Sequence, residues 1–256
     1  MPSSHDVDTT VNPPRVAIDG CATLPSLFAK RVADLPDKVV IREKDFGIWN
    51  EYTWADFGRE AELAGLGLAA LGLERGDVCS IASEINREWM FADLGIICMG
   101  GVTNGVYPTD SAEQVEYLIN DSGTRFYFAE DDEQLDKVLA VRERCPTLEK
   151  VVIFDMEGLR HLDDPMCMSF EDLAELGRQH REAHPDAWRT SVDAADAEDL
   201  MVLTYTSGTT GPPKGAMISQ RNMMFMMITL QQSFGFRKPN CSSVSLIPKD
   251  CCSVII

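Results

Sequence analysis

The chain has 256 residues, 45% of them hydrophobic and 25% charged, ordinary proportions for a globular protein with a real core. A net charge of −18 argues against a non-specific nucleic-acid binder, which needs clustered Lys and Arg, and makes an anionic membrane surface an equally poor partner. Eight cysteines form no C-x-x-C pair and no basic-then-apolar start marks a secretory signal, so the expected setting is the reducing cytoplasm.

Residues 1–20 carry three prolines among polar residues and are expected to be a loose tail. Leu24, Leu27, Phe28 and Val32 are spaced for one face of a helix. Lys38-Val39-Val40-Ile41 reads as a strand, with residues 48–52 able to pair with it. Thr53 followed by Asp56 is a capping box; behind it Trp54, Phe57, Ala61, Ala64 and Leu68 line a helix that ends near Gly72. A buried strand is predicted over 78–82, an apolar helix over 89–99 and a strand over 102–107. Asp93 interrupts the 89–99 run, and no apolar stretch reaches bilayer-spanning length.

Ser111 with Gln114 opens a further helix with the stripe Val115, Leu118 and Ile119, stopped by Asp121-Ser122-Gly123. Strands over 124–129 and 151–154 flank a helix over 133–144. This alternation predicts an α/β fold of parallel β-α-β sheets with flanking helices. Residues 156–199 lose the rhythm and are expected to be acidic and loop-rich, with one helix over 170–180. His180 and His184 stand four apart, a spacing that can hold a metal, but H-R-E-A-H is not H-E-x-x-H and no third ligand is evident. Two solvated histidines on an acidic helix is the favoured reading.

The most informative stretch is 205–215, Y-T-S-G-T-T-G-P-P-K-G, with four hydroxyl residues, three glycines and one lysine. An apolar run over 200–203 precedes it and a Met-rich run over 223–230 follows, so it reads as strand, polar loop, helix. Glycine lets backbone N–H groups turn toward a ligand, hydroxyls add donors, and Lys214 brings a mobile cation with three donors. Such a loop suits a polyphosphate. It is not the Walker pattern, because Pro213 precedes Lys214 and Gly215 follows it. The start of the helix near Ser219 or Arg221 offers free N–H groups that could face phosphate. Met223, Met224, Met226 and Met227 around Phe225 are expected on a core-facing helix, with an adaptable binding wall as the alternative.

These residues resemble the phosphate-binding signature of the adenylate-forming superfamily, and Ala216-Met217-Ile218-Ser219-Gln220-Arg221-Asn222 extends the likeness, with Gln220 where a histidine is common. Tyr52-Thr53-Trp54-Ala55-Asp56-Phe57-Gly58, Asn86-Arg87-Glu88-Trp89 and the run over 106–117 resemble a long-chain fatty-acid–CoA ligase. The resemblance covers roughly residues 23–240 by eye. It implies the incomplete large N-terminal domain of that fold, spanning 21–256. It also implies a two-step ligation in which a fatty acid and ATP give acyl-AMP, and coenzyme A then takes the acyl group. Thr206, Ser207, Gly208, Thr209, Thr210, Gly211 and Lys214 would hold the β- and γ-phosphates, with Lys214 stabilising departing pyrophosphate. Mg²⁺ is implied as well, its binding residue lying in a part of the family pattern this sequence does not show.

The adenine, ribose and thioester-step motifs of the later family half are also missing, and the run 249–256 does not continue the strand expected after Ser245-Leu246-Ile247-Pro248. The expectation is a fragment, from a shifted frame or a truncated gene, that is inactive alone. Two alternatives stay open: a non-catalytic phosphate-binding remnant, and a fragment of another adenylate-forming ligase acting on aryl or amino acids.

Overall fold

The computed structural model describes residues 16–45, 47–206, 211–234 and 244–246. The first third contains α1 (Leu24–Asp34), β1 (Val39–Asp45), β2 (Ile48–Thr53), α2 (Trp54–Ala70), β3 (Val78–Ala82) and α3 (Arg87–Cys98). Next come β4 (Val102–Val106), α4 (Ala112–Ser122), β5 (Thr124–Ala129), α5 (Asp132–Val141) and β6 (Lys150–Ile153). The last third holds β7 (Cys167–Ser169), α6 (Phe170–Ala183), α7 (Ala187–Asp193), β8 (Leu200–Thr206), β9 (Lys214–Ser219), α8 (Gln220–Phe234) and β10 (Val244–Leu246).

Seven strands form one sheet in the order β7-β6-β5-β3-β4-β8-β9. Every neighbouring pair is parallel except β8 with β9, so the alternation in the sequence was a sound guide to the mixed α/β layout. A smaller sheet, β10-β1-β2, stands apart, with β1 and β2 antiparallel as their proximity in sequence suggests. The segment over 156–199 is more regular than composition implied: besides α6 it carries β7 and α7.

Helix starts follow local chemistry. Thr53 N–H donates to Asp56 Oδ2 at 3.0 Å while Asp56 N–H donates to Thr53 Oγ1 at 3.2 Å, and Ser111 with Gln114 repeats the exchange. Alternate strand residues then supply the two faces of the large sheet. Val78, Ala82, Tyr127 and Ala129 pack under α4 and α5, through Val115, Leu118, Ile119, Leu135 and Val138. Cys79, Ile81, Phe126 and Phe128 pack on the other face against Leu68, Ala92, Ile96 and Leu173, from α2, α3 and α6. A third cluster joins the small sheet to the helices, with the ring of Phe57 lying 5.0 Å from that of Phe28 and 5.7 Å from that of Phe91, centroid to centroid.

Helices α2 and α6 touch backbone to backbone. A Cβ at Gly177 would lie 2.0 Å from the Leu63 carbonyl oxygen, and one at Gly67 would lie 2.2 Å from that of Leu173. No side chain fits at either position without moving a helix.

Within α3, the carboxylate of Asp93 meets Thr103 of β4. Asp93 Oδ1 and Thr103 Oγ1 are both shielded from solvent without a hydrogen-bond partner among the described residues, though Asp93 as a whole keeps some surface exposed. Burial raises the Asp93 pKa to about 6 from 3.8. The folded state therefore keeps a proton that the unfolded chain releases. This contribution to stability is complete below about pH 3.8 and is lost as pH rises through about 6. Asp93→Asn removes the titration. Relative to wild type, it is expected to gain ~1–3 kcal/mol at pH 8, the gain shrinking toward pH 4 in urea titrations. Equal variant-to-wild-type differences at both pH values would refute the assignment.

Candidate functional site

Strand β8 runs in the interior of the sheet and delivers the hydroxyl-rich stretch to the edge where the parallel strands end. That edge is where ligands bind open α/β sheets, because loops there are free of crossover packing. The exit of β4 lies beside it, with Tyr107 66% exposed.

The chain does not pass from loop to helix directly. It returns as β9, antiparallel to β8, with Thr206 opposite Lys214, Tyr205 opposite Gly215 and Thr204 opposite Ala216. The stretch read as strand, loop and helix is thus a hairpin followed by a helix. Opposed residues of an antiparallel pair share a face. Thr206 and Lys214 therefore stand side by side, both exposed, and Thr204 lies on the same exposed face. Sequence reading passed over Thr204. The exposed-buried alternation of β8, with Leu203 and Tyr205 buried and Thr204 and Thr206 exposed, is the signal that marks it.

Of the seven residues expected to contact phosphate, Ser207, Gly208, Thr209 and Thr210 lie outside the described residues. Gly211 begins the return with φ at +89°, a conformation that favours glycine. Lys214 heads β9 and makes no ion pair with another described residue.

Behind the exposed face is a tyrosine bracket. The Tyr205 hydroxyl donates to Asp121 Oδ2 at 2.7 Å, and the Tyr117 hydroxyl donates to the Pro213 carbonyl at 2.8 Å. The two rings meet edge to face at 6.4 Å. Gly215 passes close over Tyr205, since a Cβ there would stand 3.1 Å from the ring. Burial first, and then Asp121, push the Tyr205 pKa upward, so this phenol stays protonated and donates.

The start of α8 differs from expectation. Gln220 N–H donates to the Asp199 carbonyl at 2.9 Å, Arg221 N–H to that of Ala197 at 2.8 Å, and Asn222 N–H to Ser219 Oγ at 3.3 Å. These amides already have partners within the protein and are not free for an anion. The Arg221 guanidinium is likewise engaged, donating from Nε to Glu198 at 2.6 Å. Lys214 is left as the cation on the open face of the hairpin.

Gln220, at the place where the resembled family commonly has a histidine, is buried, and its Oε1 accepts from Leu24 N–H at 2.9 Å. The position fastens α8 to the first turn of α1 through a neutral acceptor. The Met-rich helix is only partly core-facing: Met224 is fully buried, whereas Phe225 is 60% and Met226 47% exposed. The rings of His180 and His184 lie 4.6 Å apart beside an open cavity of about 640 Å³ between α6 and α7. No group of three or more His, Cys, Asp or Glu able to hold a metal occurs among the described residues. None of their helices is long and apolar enough to cross a membrane.

A family model described as AMP-binding enzyme matches residues 28–251. The long-chain-fatty-acid–CoA ligase FadD15 of Mycobacterium tuberculosis is 34% identical over 191 residues, covering 75% of this chain and 30% of its own length. The long-chain-fatty-acid–CoA ligase ACSBG1 of Bos taurus is 30% identical over 234 residues, covering 84% of this chain and 32% of its own. The chain thus spans about a third of these relatives. Among solved structures, the anthranilate CoA ligase AuaEII with anthranoyl-AMP superposes with a TM-score of 0.65 at 22% identity, over 78% of this chain and 35% of that one. The fatty acyl-adenylate ligase from L. pneumophila, with acyl adenylate and pyrophosphate, gives 0.63 at 16%, over 85% and 34%. At such identities the superpositions speak for the fold alone.

Proposed function

Because the chain belongs to the AMP-binding enzyme family, we propose that the hairpin over 205–215 grips the β- and γ-phosphates of ATP, in a fragment corresponding to the front portion of a long-chain fatty-acid–CoA ligase. The observation that carries this reading is the pairing of Thr206 with Lys214 on an exposed face at the ligand-binding edge of the sheet. Ser207, Gly208, Thr209, Thr210 and Gly211 complete the proposed cradle. The relatives' names support a fatty acid as the second substrate.

The chemistry this grip serves follows from what a carboxylate lacks. Its oxygen is a poor leaving group, so the fatty acid first attacks the α-phosphorus of ATP, forming acyl-AMP and releasing pyrophosphate. The thiol of coenzyme A then displaces AMP to give the thioester. Phosphoryl chemistry of this kind depends on positioning and charge stabilisation more than on covalent help from the protein. In this chain, Lys214 would place an ammonium against the departing pyrophosphate, and the hydroxyls would hold its oxygens. Mg²⁺ would accompany ATP; no group of three or more His, Cys, Asp or Glu stands together among the described residues to hold it.

Calorimetric titration with ATP and ATP–pyrophosphate exchange with a long-chain fatty acid together test the proposal. Saturable ATP binding is expected, with Kd on the order of 0.1–1 mM, without exchange by this chain alone. Absence of saturable binding would remove the phosphate grip. Exchange above background would show that the fragment is catalytic.

A further inference from the structure

We propose that Tyr117 is a positioning residue for the phosphate-binding hairpin, holding its return strand through the carbonyl of Pro213. The functional half of this inference rests on the proposed phosphate grip; the structural half does not.

Tyr117 sits on α4, ninety-six residues before Pro213, and its hydroxyl hydrogen bond to that carbonyl measures 2.8 Å. Proline fixes its own φ and donates no N–H, so the only polar backbone group Pro213 can use for anchoring is this carbonyl. The last registered β8–β9 pair is Thr206 with Lys214, which leaves Pro213 just beyond the ladder. The sheet's pairing therefore does not hold the residue immediately before Lys214. Tyr117 does. Its ring is steadied edge to face on Tyr205, which is itself tied to Asp121 of the same helix. The close pass of Gly215 over the Tyr205 ring completes the clamp. Helix α4 is fixed in turn by its capping box and by Val115, Leu118 and Ile119 in the core. The path from a rigid helix to the backbone beside Lys214 is thus one hydroxyl long. Its consequence is entropic: with Pro213 held, Lys214 needs less ordering to meet an anion, which is the usual route by which a remote hydrogen bond raises affinity.

Tyr117→Phe in the full chain keeps the ring and removes only the hydroxyl. Hydrogen–deuterium exchange is expected to speed up about 3–10-fold at the amides of Gly211 and Lys214 to Ala216, with the amides of α4 unchanged. ATP affinity is expected to fall about 3–10-fold, with the thermal midpoint within roughly 2 °C of wild type. Unchanged exchange over these amides, or a uniform rise throughout the protein, would overturn the inference. If wild type does not bind ATP, the phosphate reading fails by itself and the exchange experiment still decides what Tyr117 does. If exchange accelerates while wild-type ATP affinity is retained, Tyr117 orders the strand but does not position Lys214, and the functional half is refuted.

Discussion

Alanine at Gly177 is expected to destabilise the chain by ~2–3 kcal/mol or more, although alanine in an unobstructed helix interior stabilises by about 1 kcal/mol over glycine. The sign reverses because the added methyl has no space. Its carbon would sit 2.0 Å from the carbonyl oxygen of Leu63 and 2.8 Å from the carbonyl carbon, both of which are backbone and cannot rotate away. Relief requires α2 and α6 to separate, which opens the packing of Leu68 and Leu173 against the sheet. Urea denaturation with an unchanged m-value reads the loss directly. Gly67→Ala acts at the same crossing, against the carbonyl of Leu173. The double variant should therefore lose less than the sum of the two, since helices already apart have room for the second methyl. A neutral or stabilising Gly177→Ala would mean that the two backbones are not in contact.

Lys214→Ala is expected to weaken ATP binding about 10–150-fold, the equivalent of one charge-assisted hydrogen bond of roughly 1.5–3 kcal/mol. Two findings argue for so large a share. The amides at the start of α8 already donate to Asp199, Ala197 and Ser219, and Arg221 is paired with Glu198. A chain of net charge −18 also has no general attraction for a tetra-anion to fall back on. The side chain is exposed, so the thermal midpoint should move little. Lys214→Ala should also flatten the dependence of ATP affinity on salt, because it removes the screened partner. Titrations at two ionic strengths check both expectations together. An affinity equal to that of wild type would place the anion elsewhere on the molecule.

The sequence revealed most where structure is local. The capping boxes at Thr53 and Ser111 act within four residues, and the helix stripes at Val115, Leu118 and Ile119 need only their own periodicity. The buried strand over 78–82 announced itself by five consecutive small or apolar residues, every one of which is covered. What escaped was short or non-local. Strand β7 has three residues, too few to show a period, and α7 has seven. Strand β9 is hidden because K-G-A-M-I-S opens with a charge and a glycine and holds only two adjacent large apolar residues, too few to show a strand period. The partners that occupy the α8 amides come from residues 197 and 199, and the partner of Pro213 comes from residue 117. No window along the sequence holds both ends of these contacts. The hydroxyl- and glycine-rich stretch stands out by composition, but the contacts that anchor it do not.

Strand order has a further consequence while the protein is being made. Strand β4 finds β3 at once on one side, but its other neighbour, β8, begins roughly 90 residues later. At typical synthesis rates of ~5–20 residues per second, that flank stays open on the nascent chain for about 5–18 s. Unpaired N–H and C=O groups along Thr103 and Asn104, which later face Val202 and Leu203, are a template for the wrong partner during this interval. The ribosome must therefore release β8, and with it the hairpin that would hold nucleotide, before the centre of the sheet is safe from aggregation or chaperone capture.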